Sequence, residues 1–186
     1  MKDGKKAERI NLKSRVKRES MQLSLLKAEP WPPWIYKIKK LVISEHTDFW
    51  CRLPYRGHPK GCPNYGKKQG CPPCRTIESW FDVSRPLYLV HSEFDLKSHT
   101  QKMLEAHPKW SERQAKCCLY WQGTARKQLR RRIWHAEEIL GTDGYNSCPE
   151  ALGVNVFVTA RKSGLILEKT KILNSVRHVA LLGFKP

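Results

Sequence analysis

The sequence predicts an α+β domain with a mixed sheet, helices packed on one face of that sheet and a cysteine-rich metal-binding loop. Three observations lead to this expectation. Apolar, aromatic and β-branched runs at 34–44, 86–94 and 178–184 are typical of strands, residues 125–140 have helical apolar spacing, and residues 51–74 contain four cysteines. Because the chain has 186 residues, one domain can bury a core without disulfides.

The N-terminal residues 1–29 are expected to form a basic arm, and residues 30–186 a single α+β metal-binding domain. Eight Lys or Arg residues fall within the first eighteen positions, and the prolines at 30, 32 and 33 end any helix. The arm lacks the apolar core of a signal peptide, and no 18-residue apolar run occurs. We therefore expect a cytoplasmic protein without a membrane partner.

Local patterns then predict each element in turn. Alternating apolar and basic residues predict the first strand at 34–44, and the second is expected at 86–94. Asp95 or Ser98 would cap a helix that ends before Pro108.

A second helical region is expected to begin at Ser111, which forms a capping-box pattern with Gln114. The helix over 125–140 would then bury a stripe of residues three or four positions apart: Leu129, Ile133, Ala136 and Leu140. Further on, valines alternate with other residues over 154–159 and an apolar run resumes at 165–167, which predicts a β-hairpin. The strand at 178–184 would complete the sheet.

The loop over 51–74 is the first candidate functional site. Its cysteines have the spacing Cys51-x10-Cys62-x8-Cys71-x2-Cys74, and Cys148 is a possible further ligand. Thiolates are soft ligands, so such a cluster binds zinc or an iron–sulfur cluster. In a reducing compartment an odd count of seven cysteines also favours metal or reactive thiols over disulfides.

The sequence favours a 4Fe-4S cluster, with zinc as the alternative. Proline follows Cys62, Cys71 and Cys148, as it follows the last ligand of bacterial ferredoxin motifs. Zinc ribbons usually contain two C-x2-C knuckles, whereas this chain has one. A metal-free redox pair formed by Cys71 and Cys74 is a third interpretation.

Two segments also resemble a known family. GCPNYGKKQGCPPC (61–74) and CPEALGVNVFVTARKSGL (148–165) resemble an uncharacterised prokaryotic family of predicted metal-binding proteins, a domain of unknown function with a Cys-Pro-x-Tyr-Gly...Cys-Pro-Pro signature. The resemblance extends over about residues 50–184. In the second segment the matching positions are Glu150, Ala151, Gly153 and Val156.

The resemblance implies that Cys62 and Cys71 are metal ligands and that Tyr65 and Gly66 shape the loop between them, and it is compatible with an iron–sulfur cluster. The chain departs from the family pattern because it lacks a further cysteine-rich stretch before the Glu-Ala-x-Gly segment. Cys148 would be the only trace of a second cluster.

Charge predicts a polyanionic partner. Thirty-five Lys and Arg residues face seventeen Asp and Glu residues, which leaves a net charge of +18 and favours nucleic acid, either DNA or RNA. The aromatic residues Trp50, Tyr55 and Tyr65 lie among cations in the loop, where they could stack on unpaired bases or pack the loop against the sheet. The predicted nucleic-acid-binding residues are Lys67, Lys68, Arg126, Lys127, Arg130, Arg131 and Arg132.

No catalytic residue can be assigned from the sequence. The seven histidines are scattered, and the chain contains no Gly-rich phosphate loop, H-E-x-x-H motif or nucleophile elbow. The sequence therefore predicts a metal–thiolate protein that binds nucleic acid and takes part in its modification or processing. The alternative is a zinc-stapled nucleic-acid-binding or assembly module without catalytic activity.

Overall fold

In the computed structural model the described residues are 30–44, 47–54, 58–67, 71, 76–167 and 174–186. The chain divides into two units, residues 1–32 and residues 33–186, and the fold below is that of the second unit. Of the predictions above, the arm 1–29 and the positions of Tyr55, Lys68 and Cys74 lie outside the described residues.

The centre of the second unit is a four-stranded sheet, which confirms the α+β class. Its strands follow the order β1-β2-β6-β4, and a separate two-stranded pair consists of β3 and β5. The strands are β1 (Ile35–Lys37), β2 (Tyr88–His91), β3 (Phe94–Asp95), β4 (Gly144–Asn146), β5 (Ser175–Val176) and β6 (Val179–Gly183). Strands therefore lie within both predicted segments, but the segment 86–94 contains β2 and the start of β3, which belong to different sheets, instead of one continuous strand.

All pairs between the described strands are antiparallel, whereas a mixed sheet was predicted. In the central pair Leu89 lies opposite Leu181, and in the edge pair Ile35 lies opposite Val90. After β2 the chain passes through the helices within residues 96–140 before it returns to the sheet, and β6 pairs with β2 in the antiparallel direction. Each new strand therefore runs opposite to its neighbour.

Five helices lie in the described part of the chain. They are α1 (Thr47–Arg52), α2 (Leu96–Ala106), α3 (Glu112–Ala115), α4 (Gln122–Leu140) and α5 (Val156–Lys162), and short 3-10 turns occur at Ile77–Ser79, Cys118–Tyr120 and Pro149–Leu152. The predicted caps form: the Asp95 carboxylate accepts from the Ser98 amide at 2.9 Å, and Ser111 and Gln114 make a reciprocal capping box. Local cap chemistry thus sets where α2 and α3 begin.

Helical segments cover both faces of the central sheet, which corrects the prediction of helices on one face. Helix α4 contacts β2 and β6 and buries the predicted stripe, except that Leu140 is only half-buried. Leu89 and Leu181 pack on the opposite face with a cluster that includes Val156 and Ala160 of α5. Side chains alternate between the two faces along a strand, and the side chains of β2 and β6 are apolar on both faces. Each face must therefore be buried by another element.

The predicted hairpin at 154–159 and 165–167 is wrong, because residues 156–162 form helix α5. The valine alternation is compatible with a strand, but Val156, Thr159 and Ala160 also have helical spacing and are all buried. The Asn155 side chain caps the helix by accepting from the Val158 amide at 3.1 Å. Tertiary burial and the cap therefore override the strand propensity of valine.

The first strand is shorter than the predicted 34–44. Pairing ends after Lys37, and Ile43 forms only an isolated bridge with Val154. A bend at residues 39 and 40, both exposed lysines, interrupts the strand between these two points. Within the described residues, no helix is long and apolar enough to cross a membrane.

Candidate metal centre and nucleic-acid interface

The first predicted ligand, Cys51, lies on helix α1 rather than in a loop. The Pro and Gly residues that suggested a loop begin only after this helix. Helix α1 contacts the turn Pro149–Leu152, which follows Cys148 in the chain. The segment before helix α1 contacts the residue that follows this turn, because the Ser44 amide donates to the Gly153 carbonyl at 2.8 Å. The fold thus brings the Cys148 segment to the Cys51 helix.

A backbone contact places Cys62 beside Cys51. The Cys62 amide donates to the Cys51 carbonyl at 2.7 Å. The approach depends on Gly61, which has a φ of +82° and whose missing Cβ would lie 2.6 Å from the Cys51 carbonyl oxygen. Only glycine permits both this backbone conformation and this approach.

The thiol of Cys148 interacts electrostatically with those of Cys71 and Cys51. Its pKa is raised to about 11, first by burial, then by the charge of Glu150, and also by the Cys71 and Cys51 thiols. Such interactions require the groups to lie near one another. Cys148 is distant in sequence but adjacent in the fold, and the Asn146 side chain accepts from its amide at 2.7 Å.

Glu150 belongs to the same cluster. Burial raises the pKa of its carboxyl, while hydrogen bonds from its own backbone amide and from the Cys148 thiol lower it. Both Cys148 and Glu150 keep more than a third of their surface exposed. Their desolvation therefore arises from protein atoms crowded around the polar groups, not from full enclosure of either residue.

The donor set has the chemistry of a soft-metal site. The set contains the cysteines Cys51, Cys62, Cys71 and Cys148, and deprotonated thiols bind zinc and iron–sulfur clusters. Within the part of the chain that the structure describes, however, no group of three or more His, Cys, Asp or Glu is arranged to hold a metal ion. The thiols converge without forming a coordination shell, and Cys74 lies outside the described residues.

Helix α4 displays most of the predicted nucleic-acid-binding residues on its exposed face. The four exposed cations are Arg126, Lys127, Arg130 and Arg131. Trp134, which is 61% exposed, lies within this face because it follows Arg130 and Arg131 by four and three positions. Trp134 is not among the residues predicted above, although its spacing from Arg130 and Arg131 is the signal in the sequence that points to it.

Arg132 does not belong to that face. The Arg132 side chain is half-buried, and its Nη1 donates to the His91 carbonyl at 2.7 Å. The guanidinium carbon Cζ lies 5.4 Å from the centre of the Trp34 ring. The helical periodicity separates Arg132 from its basic neighbours and turns it towards β1 and β2.

The loop contributes a second set of exposed groups. Lys67 is exposed, and Trp50 is 49% exposed, so Trp50 does not serve to pack the loop into the core. Tyr65 is half-buried, and its amide donates to the Cys62 carbonyl at 3.1 Å. Its position is consistent with a shaping role near Cys62.

Comparison of the chain with protein-family models, with curated proteins and with solved structures finds no match. The resemblance to a metal-binding family therefore stays a prediction from the motifs.

Proposed function

We propose that this protein is a metal–thiolate protein that binds nucleic acid and takes part in its modification or processing. The observation that carries the metal proposal is the contact between the helix that carries Cys51 and the turn Pro149–Leu152, which directly follows Cys148, together with the backbone hydrogen bond from Cys62 to Cys51. Cysteines that only filled a core would sit among apolar side chains. Here Cys148 interacts with two other thiols and a carboxyl.

A 4Fe-4S cluster is the cofactor that we favour. The cysteine–proline pairs of the sequence support it, and four thiolates suffice for a cluster of this kind. The ligands would come from Cys51, Cys62, Cys71, Cys74 and Cys148. A bound cluster would supply redox or Lewis-acid chemistry, and the chain would place it beside the exposed Trp50.

The nucleic-acid proposal rests on helix α4. An exposed tryptophan among four exposed cations combines a stacking surface with phosphate contacts. The net charge of +18 supports the same partner. We place the protein in the cytoplasm, where thiols stay reduced.

A zinc-stapled module without catalytic activity is the second candidate. It is favoured by the backbone hydrogen bonds that join Val42 and Ser44, which precede helix α1, to Asn155 and Gly153, because a structural zinc would reinforce this attachment. The two candidates differ in the metal that they hold and in whether one metal position stays open to substrate.

Metal analysis separates the candidates. We would purify the protein without air and measure iron, sulfide and zinc per chain together with the visible spectrum. A brown protein with about four irons supports the cluster, whereas a colourless protein with about one zinc supports the staple. A metal-free protein would contradict both.

The Cys148→Ser variant tests the ligand set. If Cys148 is a ligand, we expect it to lose most of the bound metal, while the matched variant Cys118→Ser, at an exposed cysteine elsewhere, keeps it. Circular dichroism would check that both variants fold. Unchanged metal content in Cys148→Ser would remove Cys148 from the site and would take away the main structural support for the proposal.

Salt dependence tests the interface. We expect the affinity for a labelled single-stranded oligonucleotide, measured by fluorescence anisotropy, to fall with salt with a log–log slope that loses about 0.7 for each phosphate contact removed. Arg130→Gln and Arg131→Gln should each reduce the slope. Trp134→Ala should weaken binding about tenfold without changing the slope, because stacking contributes about 1–3 kcal/mol per base.

The control is Arg161→Gln, which removes an exposed cation from helix α5 instead of α4. An affinity that does not depend on salt, or equal losses in all the arginine variants, would argue against a specific interface on helix α4.

A further inference from the structure

A cavity of about 350 Å³ lies between β1, the end of β2, helix α4 and residues 164–166. Sites for small molecules commonly have volumes of about 300–1,000 Å³, so the cavity suits a ligand of modest size. The side chains that give it its chemistry are Trp34, Tyr36, His91, Glu93, Arg132 and Arg177.

Both arginines of the cavity are held in place by hydrogen bonds. Arg132 donates from Nη1 to the His91 carbonyl at 2.7 Å. Arg177 donates from Nη2 to Glu93 Oε1 at 2.7 Å and from Nη1 to the Ile166 carbonyl at 3.1 Å. Two guanidinium groups with fixed orientations form a preorganised set of donors for an anion.

One of these donors has no partner. The Nε atom of Arg177 is buried and makes no hydrogen bond to any residue that the structure describes. Buried donors without an acceptor are costly, so native structures rarely keep them. Arg177 therefore carries one donor that the described residues leave unsatisfied.

The histidine of the cavity is neutral. Burial lowers the pKa of His91, and its Nδ1 lies 3.1 Å from the Ser92 carbonyl oxygen, which can only accept. Nδ1 therefore carries the proton, and Nε2 is an acceptor. Among the described residues that line the cavity, Glu93 is the only acidic one, so Arg132 and Arg177 give the cavity a net positive charge.

Aromatic rings supply flat faces beside the cations. The Tyr36 ring lies 5.9 Å from the His91 ring, and the Trp34 ring lies 5.9 Å from the ring of His135 on helix α4. His135 is exposed on the helix that carries the basic face, so the wall of the cavity continues towards that face.

We infer that this cavity binds a single nucleotide, with its phosphate at Arg132 and Arg177 and its base against Trp34 and Tyr36. This inference rests on the proposed nucleic-acid binding, because the nucleotide in the cavity would be one nucleotide of a bound strand. Proteins that act on an unpaired base commonly enclose it between aromatic side chains, while arginine binds its phosphate. The basic face of helix α4 would hold the adjoining phosphates.

Calorimetric titration tests the cavity without any strand. The probes are the four common nucleoside 5′-monophosphates, the corresponding nucleosides and inorganic phosphate. We expect at least one monophosphate to bind more tightly than its nucleoside and than phosphate, because the cavity recognises both parts. Phosphate that binds as tightly as every monophosphate would overturn the inference.

Variants show whether binding occurs in this cavity. Arg177→Gln and Trp34→Leu should each weaken monophosphate binding about tenfold or more, whereas Trp34→Phe keeps a ring and should retain most of the affinity. The charge-matched control Arg161→Gln should change it less than about twofold. Thermal melts would verify folding, and equal affinity in all four variants would overturn the assignment.

An oligonucleotide that contains one 2-aminopurine base tests whether the nucleotide in the cavity belongs to a bound strand or comes free from solution. Strand binding is followed by anisotropy, and insertion of the base by 2-aminopurine fluorescence. If the fluorescence change is lost in Trp34→Leu while the anisotropy persists, the nucleotide comes from the strand.

If monophosphates bind but strands do not, the cavity takes free nucleotides and the proposed nucleic-acid binding fails. The opposite outcome is that strands bind but monophosphates do not, and that the 2-aminopurine fluorescence change is either absent or the same in every variant. In that case the inference about the cavity fails, and the proposed nucleic-acid binding stands.

Discussion

The central sheet and the cysteine region are stabilised in different ways. In the sheet, Leu89 and Leu181 are fully buried and packed from both faces. In the cysteine region, Phe49, Trp50 and Leu53 on and beside helix α1 are 53%, 49% and 43% exposed. One region has a packed apolar core, and the other has little apolar burial of its own.

This difference shows that a bound ligand would add more to the stability of the cysteine region than to that of the sheet. The described residues 47–54 and 58–67 are positioned by backbone hydrogen bonds, by the turn at Gly61 and by the contact of helix α1 with residues 149–152. A segment with few buried side chains gains little from the hydrophobic effect to offset its conformational entropy. A metal bound across Cys51, Cys71 and Cys148 would contribute the missing stabilisation.

The largest expected effect is in the sheet. Leu181→Ala removes a fully buried side chain from the centre of the core, so the free energy of unfolding should fall by about 2–5 kcal/mol. Urea unfolding followed by circular dichroism would measure it. The control is Leu119→Ala, at a leucine that is 83% exposed, and it should change stability by less than about 0.5 kcal/mol. Similar losses in both variants would contradict the packing described for β6.

A smaller effect is expected in the cysteine region from Gly61→Ala. The new Cβ would meet the backbone of Cys51 and Arg52, and the left-handed conformation disfavours alanine, so we expect about 1–3 kcal/mol of local strain. Hydrogen exchange should quicken for amides in residues 58–67, and metal content should fall, while the amides of β2 and β6 keep their protection.

Gly123→Ala is the matched control for this change. A Cβ at Gly123 in helix α4 meets nothing within 4 Å, so the helix should be stabilised by about 0.5 kcal/mol. If both glycine variants behaved alike, the close approach of Gly61 to Cys51 would not be important for the site.

The smallest expected effect is a dependence on pH in the packed region. Burial lowers the pKa of His91 below its usual 6.5, as do the charges of Arg177 and Arg132, while the Ser92 carbonyl and Glu93 oppose the shift. The folded protein therefore binds fewer protons than the unfolded chain when the pH lies between the lowered value and 6.5. Stability should be lost as the pH falls through this window.

Melting temperatures from pH 7.5 to pH 5 would measure this dependence. His91→Gln should reduce it, while part should persist because burial also lowers the pKa of His178. Stability that rises on acidification through this range, or a profile unchanged by His91→Gln, would contradict the burial of a neutral His91.

Predictions from local chemistry agreed well with the structure. The Asp95 cap, the capping box at Ser111 and the buried stripe of helix α4 each depend on residues within a few positions of one another. Such short-range patterns define an element wherever the chain folds. Of the predicted ligands, Cys62 lies beside Cys51 through a backbone hydrogen bond, although no coordination shell forms among the described residues.

Predictions that depended on distant partners were less accurate. Val154, Val156 and Val158 have the alternation of a strand, but Val156 begins a helix because its face is buried against β2 and β6. The loop prediction for Cys51 failed for a similar reason, since helix α1 contacts residues almost a hundred positions away. Neither contact leaves a signal in the nearby sequence.

The sequence by itself determined the α+β class, the helix caps, the excess of positive charge and the set of candidate thiols, because composition and short-range spacing carry that information. Only the tertiary structure decided which groups meet. It brought Cys148 to Cys51 and Cys71, and it turned Arg132 away from its basic neighbours into a cavity with Trp34 and His91. These neighbours depend on how strands and helices pack over long sequence separations, which is fixed by the burial of both faces of one sheet.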